Sequence, residues 1–278
     1  MGLSDSMRTV SILTAAYAPT AKYLPDTIAG VQAQSLPDGW QLEWIVQEDG
    51  AEPALAELVE QAPNVRYEPN NAQLGLPQTR NLALSRATGE LVHVLDHDDV
   101  LLPGALSVLV PRFDDNPIHW AIGQADDLTP DGQRMPYESA LPYGLLAAGQ
   151  VNEWAGEQGG NWPIHCAGLT MRTASVRALG GWVASPADDD LAMFAALSEL
   201  TNGYNEPTVT WLYRHHPDQT HRTATWRTWS TAGRRIALQR AAAVRAAGLI
   251  FSDDVLNLAT PEPVDVGPLQ PKKAYPST

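Results

Sequence analysis

Apolar, β-branched runs alternate with stretches of helical apolar spacing through the first hundred residues, and this alternation constrains the fold more than any other feature. Residues 9–16 (TVSILTAA) read as a buried strand that breaks at Tyr17-Ala18-Pro19. Pro25 opens a helix carrying Ile28 and Val31, closed by Leu36-Pro37-Asp38-Gly39. A strand at 42–46, a helix at 54–61 and a strand at 65–68 follow, then a helix at 77–87 with Gly89 as C-cap and a strand at 90–95. Such β-α-β order predicts an α/β fold whose parallel sheet carries helices on its faces.

In sheets of this kind ligands sit beyond the carboxyl ends of the strands. Two acidic clusters fall there, Glu48-Asp49 and Asp96-His97-Asp98-Asp99. A third, Asp188-Asp189-Asp190, precedes the helical stripe Leu191, Phe194, Leu197, where carboxylates also suit the exposed N–H groups of a helix start. Carboxylates this close repel one another unless a cation or a set of donors compensates. Hard oxygen ligands of this type favour Mg²⁺ or Mn²⁺, held together with a substrate diphosphate.

Charge narrows the partners. The 278 residues contain 18 Lys+Arg against 32 Asp+Glu, a net charge of −14, which disfavours a nucleic-acid binder that relies on phosphate attraction. The only lysines are Lys22, Lys272 and Lys273, so no lysine serves chemistry in the middle of the chain. The lone Cys166 excludes a disulfide framework and a multi-cysteine metal site, and reads as an inert buried thiol. No apolar run approaches the roughly 18 residues of a membrane span, and the first ten residues lack a basic segment leading into an apolar one; a cytoplasmic location is expected.

The run Asn71-x-x-x-Gly75, Arg80-Asn81, Ala87, Gly89-Glu90 and Leu95-Asp96-His97-Asp98-Asp99-Val100-x-x-Pro103 resembles the core of family 2 glycosyltransferases. Residues 10–17 sit where that family has its first strand, Val46-Gln47-Glu48-Asp49-Gly50 where it has V-D-D-G-S, and Gly180-Gly181-Trp182 and Asp188-Asp189-Asp190-Leu191 resemble its G-G-F and E-D-x-D-L elements. The resemblance covers residues 8–221 in order. It implies a GT-A (Rossmann-like) fold with a mixed, mostly parallel sheet, a nucleotide-binding half at 8–110 and an acceptor-binding half at 111–221.

It also implies metal-dependent transfer of a sugar, with inversion, from a nucleoside-diphosphate donor, UDP-linked first, to an acceptor hydroxyl. On that pattern Asp98 holds Mn²⁺ or Mg²⁺ with His216, His221 being the alternative. Asp96 contacts the ribose or assists the metal, and His97 joins the donor-binding set. Asp49 takes the base, flanked by Ala15 and Tyr17, and Arg80 meets the diphosphate. The general base lies in Asp188-Asp189, with Asp188 first. The sequence departs from the family at Thr14 to Ala18, Glu48 and Ala51, which touches the base and ribose contacts. The acceptor is left open among sugars, lipid-linked sugars and small molecules.

Two other classes fit parts of the pattern. Asp96-x-Asp98 after an apolar strand also suits a haloacid-dehalogenase-type phosphatase, but three strands precede it and no lysine lies between Lys22 and Lys272. A non-catalytic nucleotide-sugar-binding member is the other. Between 120 and 168 the chain is rich in Gly, Pro, Trp and Tyr, which predicts strands with long loops and a hairpin at 128–132. The tryptophans of 154–165 suit sugar recognition and core closure equally. Residues 222–247 carry Arg222, Arg227, Arg234, Arg235, Arg240 and Arg245 without an acid and read as a basic amphipathic helix. Its Trp226, Trp229 and alanines favour packing on the acidic body, or on a second copy in a homodimer, over docking on anionic lipid. Residues 252–278 read as a Pro-rich extended tail.

Overall fold

In the computed structural model, which describes residues 7–185 and 187–251, the first half alternates as its apolar pattern requires. Strand β1 (Arg8–Tyr17) leads through a 3₁₀ turn into α1 (Leu24–Gln32), then β2 (Trp40–Asp49), the single turn α2 (Ala56–Val59), β3 (Val65–Pro69), α3 (Leu76–Arg86) and β4 (Leu91–Val94). β1 is buried from Val10 to Ala16, the continuous burial of a strand covered on both faces. Its alternate residues feed two cores: Val10 and Ile12 pack with α1 and Trp44 on one face, and Leu13 packs with Leu84 and Val92 on the other.

Three short elements, β5 (Val100–Leu101), α4 (Ala105–Leu109) and α5 (Arg112–Asp115), lead into β6 (Trp120–Leu128). The remainder runs β7 (Arg134–Pro136), β8 (Gly144–Leu146), α6 (Gln150–Glu157), β9 (Leu169–Arg172), α7 (Thr173–Ala178), α8 (Asp189–Leu200), β10 (Gly203–Arg214) and α9 (Ala224–Ala247). Among the described residues the strands form one sheet in the order β3-β2-β1-β4-β9-β6-β10-β5, with β7 beside β6 and β8 beside β10. β3, β2, β1 and β4 are mutually parallel, as are β6 and β10; β9 is antiparallel to both of its neighbours, β4 and β6. The sheet is therefore mixed and mostly parallel, with helices on both faces. The chain leaves β1 toward β2 and returns from β3 to β4 on its other side, so a crevice opens beyond the carboxyl ends of β1 and β4.

The predicted hairpin forms between β6 and β7, closed by Thr129 and Gln133. Two expectations are corrected. The helix predicted at 54–61 shrinks to α2, because the chain turns away at Pro63 and at Asn64, whose φ is +60°. The irregular stretch 120–168 contains a true helix, α6. There Gly149, Gly156 and Gly159 blur the apolar period, and the buried Asn152 replaces an apolar contact with hydrogen bonds to the Ala195 carbonyl (2.8 Å) and Glu199 (2.9 Å). Helix α9 packs along α8 through Ser230, Gly233, Ala237 and Ala241. Of its arginines, Arg245 pairs with Glu199 and Arg240 donates to the Leu179 carbonyl. No helix among the described residues is long and apolar enough to cross a membrane. The expected tail at 252–278 lies outside the described residues.

Candidate active site

The turn after β4 presents its carboxylates because its backbone is tied down from behind. The Thr27 hydroxyl on α1 lies 2.9 Å from the His97 carbonyl and 2.8 Å from that of Asp99, and Arg214 Nε at the end of β10 donates to the Asp98 carbonyl at 2.7 Å. The Arg214 amide donates to Asp99 Oδ1 at 2.9 Å. With the backbone fixed, oxygens of Asp96, Asp98 and Asp99 lie within 4.8 Å of one another. Burial, reinforced by Asp98 and Asp96, pushes the Asp99 carboxyl well above its ordinary range, the mark of a cluster short of positive charge. His216 Nε2 donates to Asp98 Oδ2 at 2.8 Å, the ring is 3% exposed, and Nδ1 has no partner among the described residues.

Arg80 on α3 joins this cluster to the one at the head of α8. Its guanidinium donates to Asp96 at 2.7 Å and to Asp189 at 3.3 Å while only 3% of the residue is exposed. Burial works against its charge, but the two carboxylates override it. The adjacent Asn81 fixes the approach to α8: its side chain donates to the Trp182 carbonyl (2.8 Å) and accepts from the Trp182 amide (2.9 Å). Gly181, at φ +67°, lets that happen, since a Cβ there would meet Asn81 Oδ1 at 2.2 Å. Burial and the neighbouring Asp190 push Asp188 up to about 6, against the pull of Arg234. Burial also raises Asp189, against Arg80.

These groups share one cleft of about 670 Å³, lined by Asp96, Asp98, Asp99, Arg80, Asp188, Asp189 and Asp190. Its other walls carry Tyr213 and His165, which no motif singled out and whose rings lie 5.0 Å apart, together with His221, Trp226 and Arg234. Trp162 lines the cleft and also closes the core, where its indole N–H donates to Asn152 at 3.0 Å. Cys166 is buried at the base, and burial pushes its thiol up. Of the two candidate histidines, His216 reaches Asp98, whereas His221 lies beside the Tyr213 hydroxyl (3.3 Å).

The remaining sequence-predicted residues gather at the neighbouring strand ends and do not line this cleft. Tyr17 and Asp49 are register partners at the ends of β1 and β2. Asp49 accepts the amides of Leu74 (2.7 Å) and Gly75 (3.1 Å) and the Asn70 side chain (3.1 Å), which shapes the loop before α3. His97 turns away from the cleft that Asp96, Asp98 and Asp99 line: Nδ1 donates to the Ala15 carbonyl at 3.2 Å, and Nε2 sits 2.6 Å from Thr20 Oγ1. Glu48 accepts the amides of Ala54 (2.8 Å) and Leu55 (3.0 Å) and the Tyr67 hydroxyl, so this acid holds the turn into α2.

Known proteins resemble this chain in sequence or in fold. A protein of Sinorhizobium fredii (strain NBRC 101917 / NGR234), Uncharacterized protein y4gI, is 30% identical over 112 residues, 39% of this chain and 12% of its own length. The S. aureus TarS 1–349 structure in complex with UDP-GlcNAc superposes with a TM-score of 0.63 at 15% identity, covering 78% of this chain and 61% of that one. The complex of TarS 1–349 with UDP gives 0.58 at 16% identity, over 75% and 61%. The chain thus spans less than two thirds of the length of either relative, and the likeness to TarS is one of fold. The sequence profile of glycosyl transferase family 2 matches residues 11–171, more than half of the chain, and the chain belongs to that family.

Proposed function

We propose that this protein transfers a sugar from a nucleoside-diphosphate donor, UDP-linked, to an acceptor hydroxyl with inversion at the anomeric carbon. The observation that carries the reading is the joining of two acidic clusters, Asp96 to Asp99 and Asp188 to Asp190, across one cleft by the buried Arg80. UDP as the nucleotide is supported by the fold shared with TarS, whose complexes contain UDP-GlcNAc and UDP.

The residues of the D-x-D turn fit a divalent cation: their donors are hard carboxylate oxygens close enough to share one ion, and the charge they lack is what such an ion brings. Asp98 would hold Mn²⁺ or Mg²⁺ with Asp96, and His216 keeps the Asp98 carboxylate in place. The cation, when bound, supplies Lewis-acid neutralisation of the departing diphosphate. On the other side of the cleft Asp188 accepts the acceptor's hydroxyl proton. The acceptor oxygen then forms its bond to the anomeric carbon as the bond from that carbon to the diphosphate oxygen breaks, and the nucleoside diphosphate leaves with the electron pair. A carboxyl held near 6 suits a base that must be ionised at neutral pH yet still take a proton. Asp189 is committed to Arg80, so it fixes the head of α8. Tyr17, Ala15 and Asp49 border the place where the base of the nucleotide would extend.

The test combines UDP-, GDP- and dTDP-sugars with Mn²⁺, Mg²⁺ or EDTA, reading thermal shift and release of nucleoside diphosphate. UDP with Mn²⁺ is expected to raise Tm by a few degrees, and a UDP-sugar to turn over only with a divalent cation present. No binding of any nucleotide overturns the reading; turnover unchanged in EDTA overturns its metal.

A further inference from the structure

Helix α9 lies wholly beyond the segment that matches the family, yet it forms a wall of the cleft. We propose that Gly233 and Arg234 of α9 are positioning residues for Asp188, fixing its backbone and its carboxylate for proton transfer; this rests on the assignment of Asp188 as the proton acceptor.

Three observations converge. Asp188 adopts a left-handed conformation, φ 53° and ψ 34°, a turn of the backbone that aims its side chain differently from an extended helix-capping residue. Its side chain makes no hydrogen bond to the amides at the start of α8, so the ordinary reason for an aspartate at a helix head is missing. What imposes the conformation is α9. Gly233 presses its bare backbone on the segment, and a Cβ there would lie 2.6 Å from the Ala187 carbonyl oxygen and 3.0 Å from Asp188 Cβ.

The next residue supplies the charge. Arg234 Nε stands 3.6 Å from Asp188 Oδ2, beyond hydrogen-bonding distance, and neither atom has another partner among the described residues. Arg234 is itself held by the loop after α6, where Nη1 donates to Asn161 Oδ1 and Gly160 abuts its Cβ. Further along, Arg245 grips Glu199 at 2.6 and 3.0 Å. The interval from Asp188 to Glu199 equals that from Arg234 to Arg245, so α8 and α9 run side by side in the same direction. Arg245 at one end sets the register that delivers Arg234 at the other. The charged groups that face Asp188 are Asp190 on its own helix and Arg234 on α9, and they act in opposite senses.

The experiment uses the full chain and three variants: R234Q, R234K and G233A. Carbon-detected NMR titration of the Asp188 carboxyl needs no substrate. Its midpoint is expected near 6 in the unaltered protein, about one pH unit higher in R234Q, and back near 6 in R234K. In turnover with a UDP-sugar, R234Q is expected to lower kcat about fivefold at pH 6, with the acid limb displaced up by about one pH unit and donor KM within about twofold. G233A is expected to lower kcat without displacing that limb. An R234Q protein with unchanged titration and unchanged kcat overturns the proposal. A protein that turns over no nucleotide sugar overturns the functional reading instead, and the titration still decides whether Arg234 governs Asp188.

Discussion

Two acidic clusters that look alike in the sequence have opposite fates in the fold. At the end of β2, Glu48 and Asp49 spend their oxygens on the protein's own donors: the amides of Ala54, Leu55, Leu74 and Gly75 and side chains of Tyr67 and Asn70. At the head of α8, Asp188 and Asp189 are buried with fewer donors, and their carboxyls rise. A carboxylate surrounded by N–H groups builds structure; one that is desolvated and underpaired is prepared for chemistry. Position at a strand or helix end does not separate the two cases. The supply of donors does.

The sharpest way to break the contrast is D188N. Asparagine tolerates the left-handed conformation, so the substitution removes the proton acceptor and leaves the backbone in place. Steady-state kinetics with a UDP-sugar should show kcat lower by about 10²–10⁴-fold, with nucleotide binding retained and Tm little changed. A loss of less than tenfold would move the base to Asp189.

E48Q tests the other side and should invert the pattern. Glu48 is fully buried and accepts three hydrogen bonds; an amide oxygen replaces only part of that capacity. Denaturant unfolding is expected to show a loss of about 2 kcal/mol, while kcat per folded molecule stays within about twofold. A stable E48Q protein with impaired turnover would place Glu48 in the donor site.

The contrast also explains what was legible in the sequence. The parallel half was, because strands buried on both faces write continuous apolar runs and the helices between them keep their period. The D-x-D turn, Arg80 and the Asp188 pair were legible as an ordered set of motifs, since each is local. Arg234 was not: in the sequence it is one of six arginines on a basic helix, and only packing tells that it faces Asp188 while Arg227 and Arg235 face solvent. A signal existed in the spacing of Ser230, Gly233, Ala237 and Ala241, a stripe of small residues that lets two helices approach closely. Likewise the purely local reading of 120–168 missed α6, whose buried face is completed by Asn152 through hydrogen bonds to a helix distant in sequence.

The weakest effect concerns how the two halves of the sheet are joined. The parallel half meets the rest through β4 and β9, and His93 lies in that seam opposite Thr170, fully buried, with Nδ1 2.9 Å from Thr170 Oγ1. Burial holds its pKa down to about 3, and burial with Arg172 holds that of His119 down to about 4. As pH falls below the ordinary histidine value near 6.5, the unfolded chain takes up protons that the folded seam refuses. Stability contributed by neutral His93 is therefore complete above 6.5 and lost progressively toward pH 3. Asp188 and Asp189, raised in the fold, act in the opposite sense as pH drops through their range, so the total pH dependence is a difference between the site and the seam. H93Q isolates the seam. Between pH 6.5 and 5.5 the unaltered protein should lose about 1 kcal/mol more than H93Q, measured by urea unfolding at each pH. Parallel stability curves for the two proteins would show that His93 takes up its proton in the folded state, and that the seam is open enough to hydrate it.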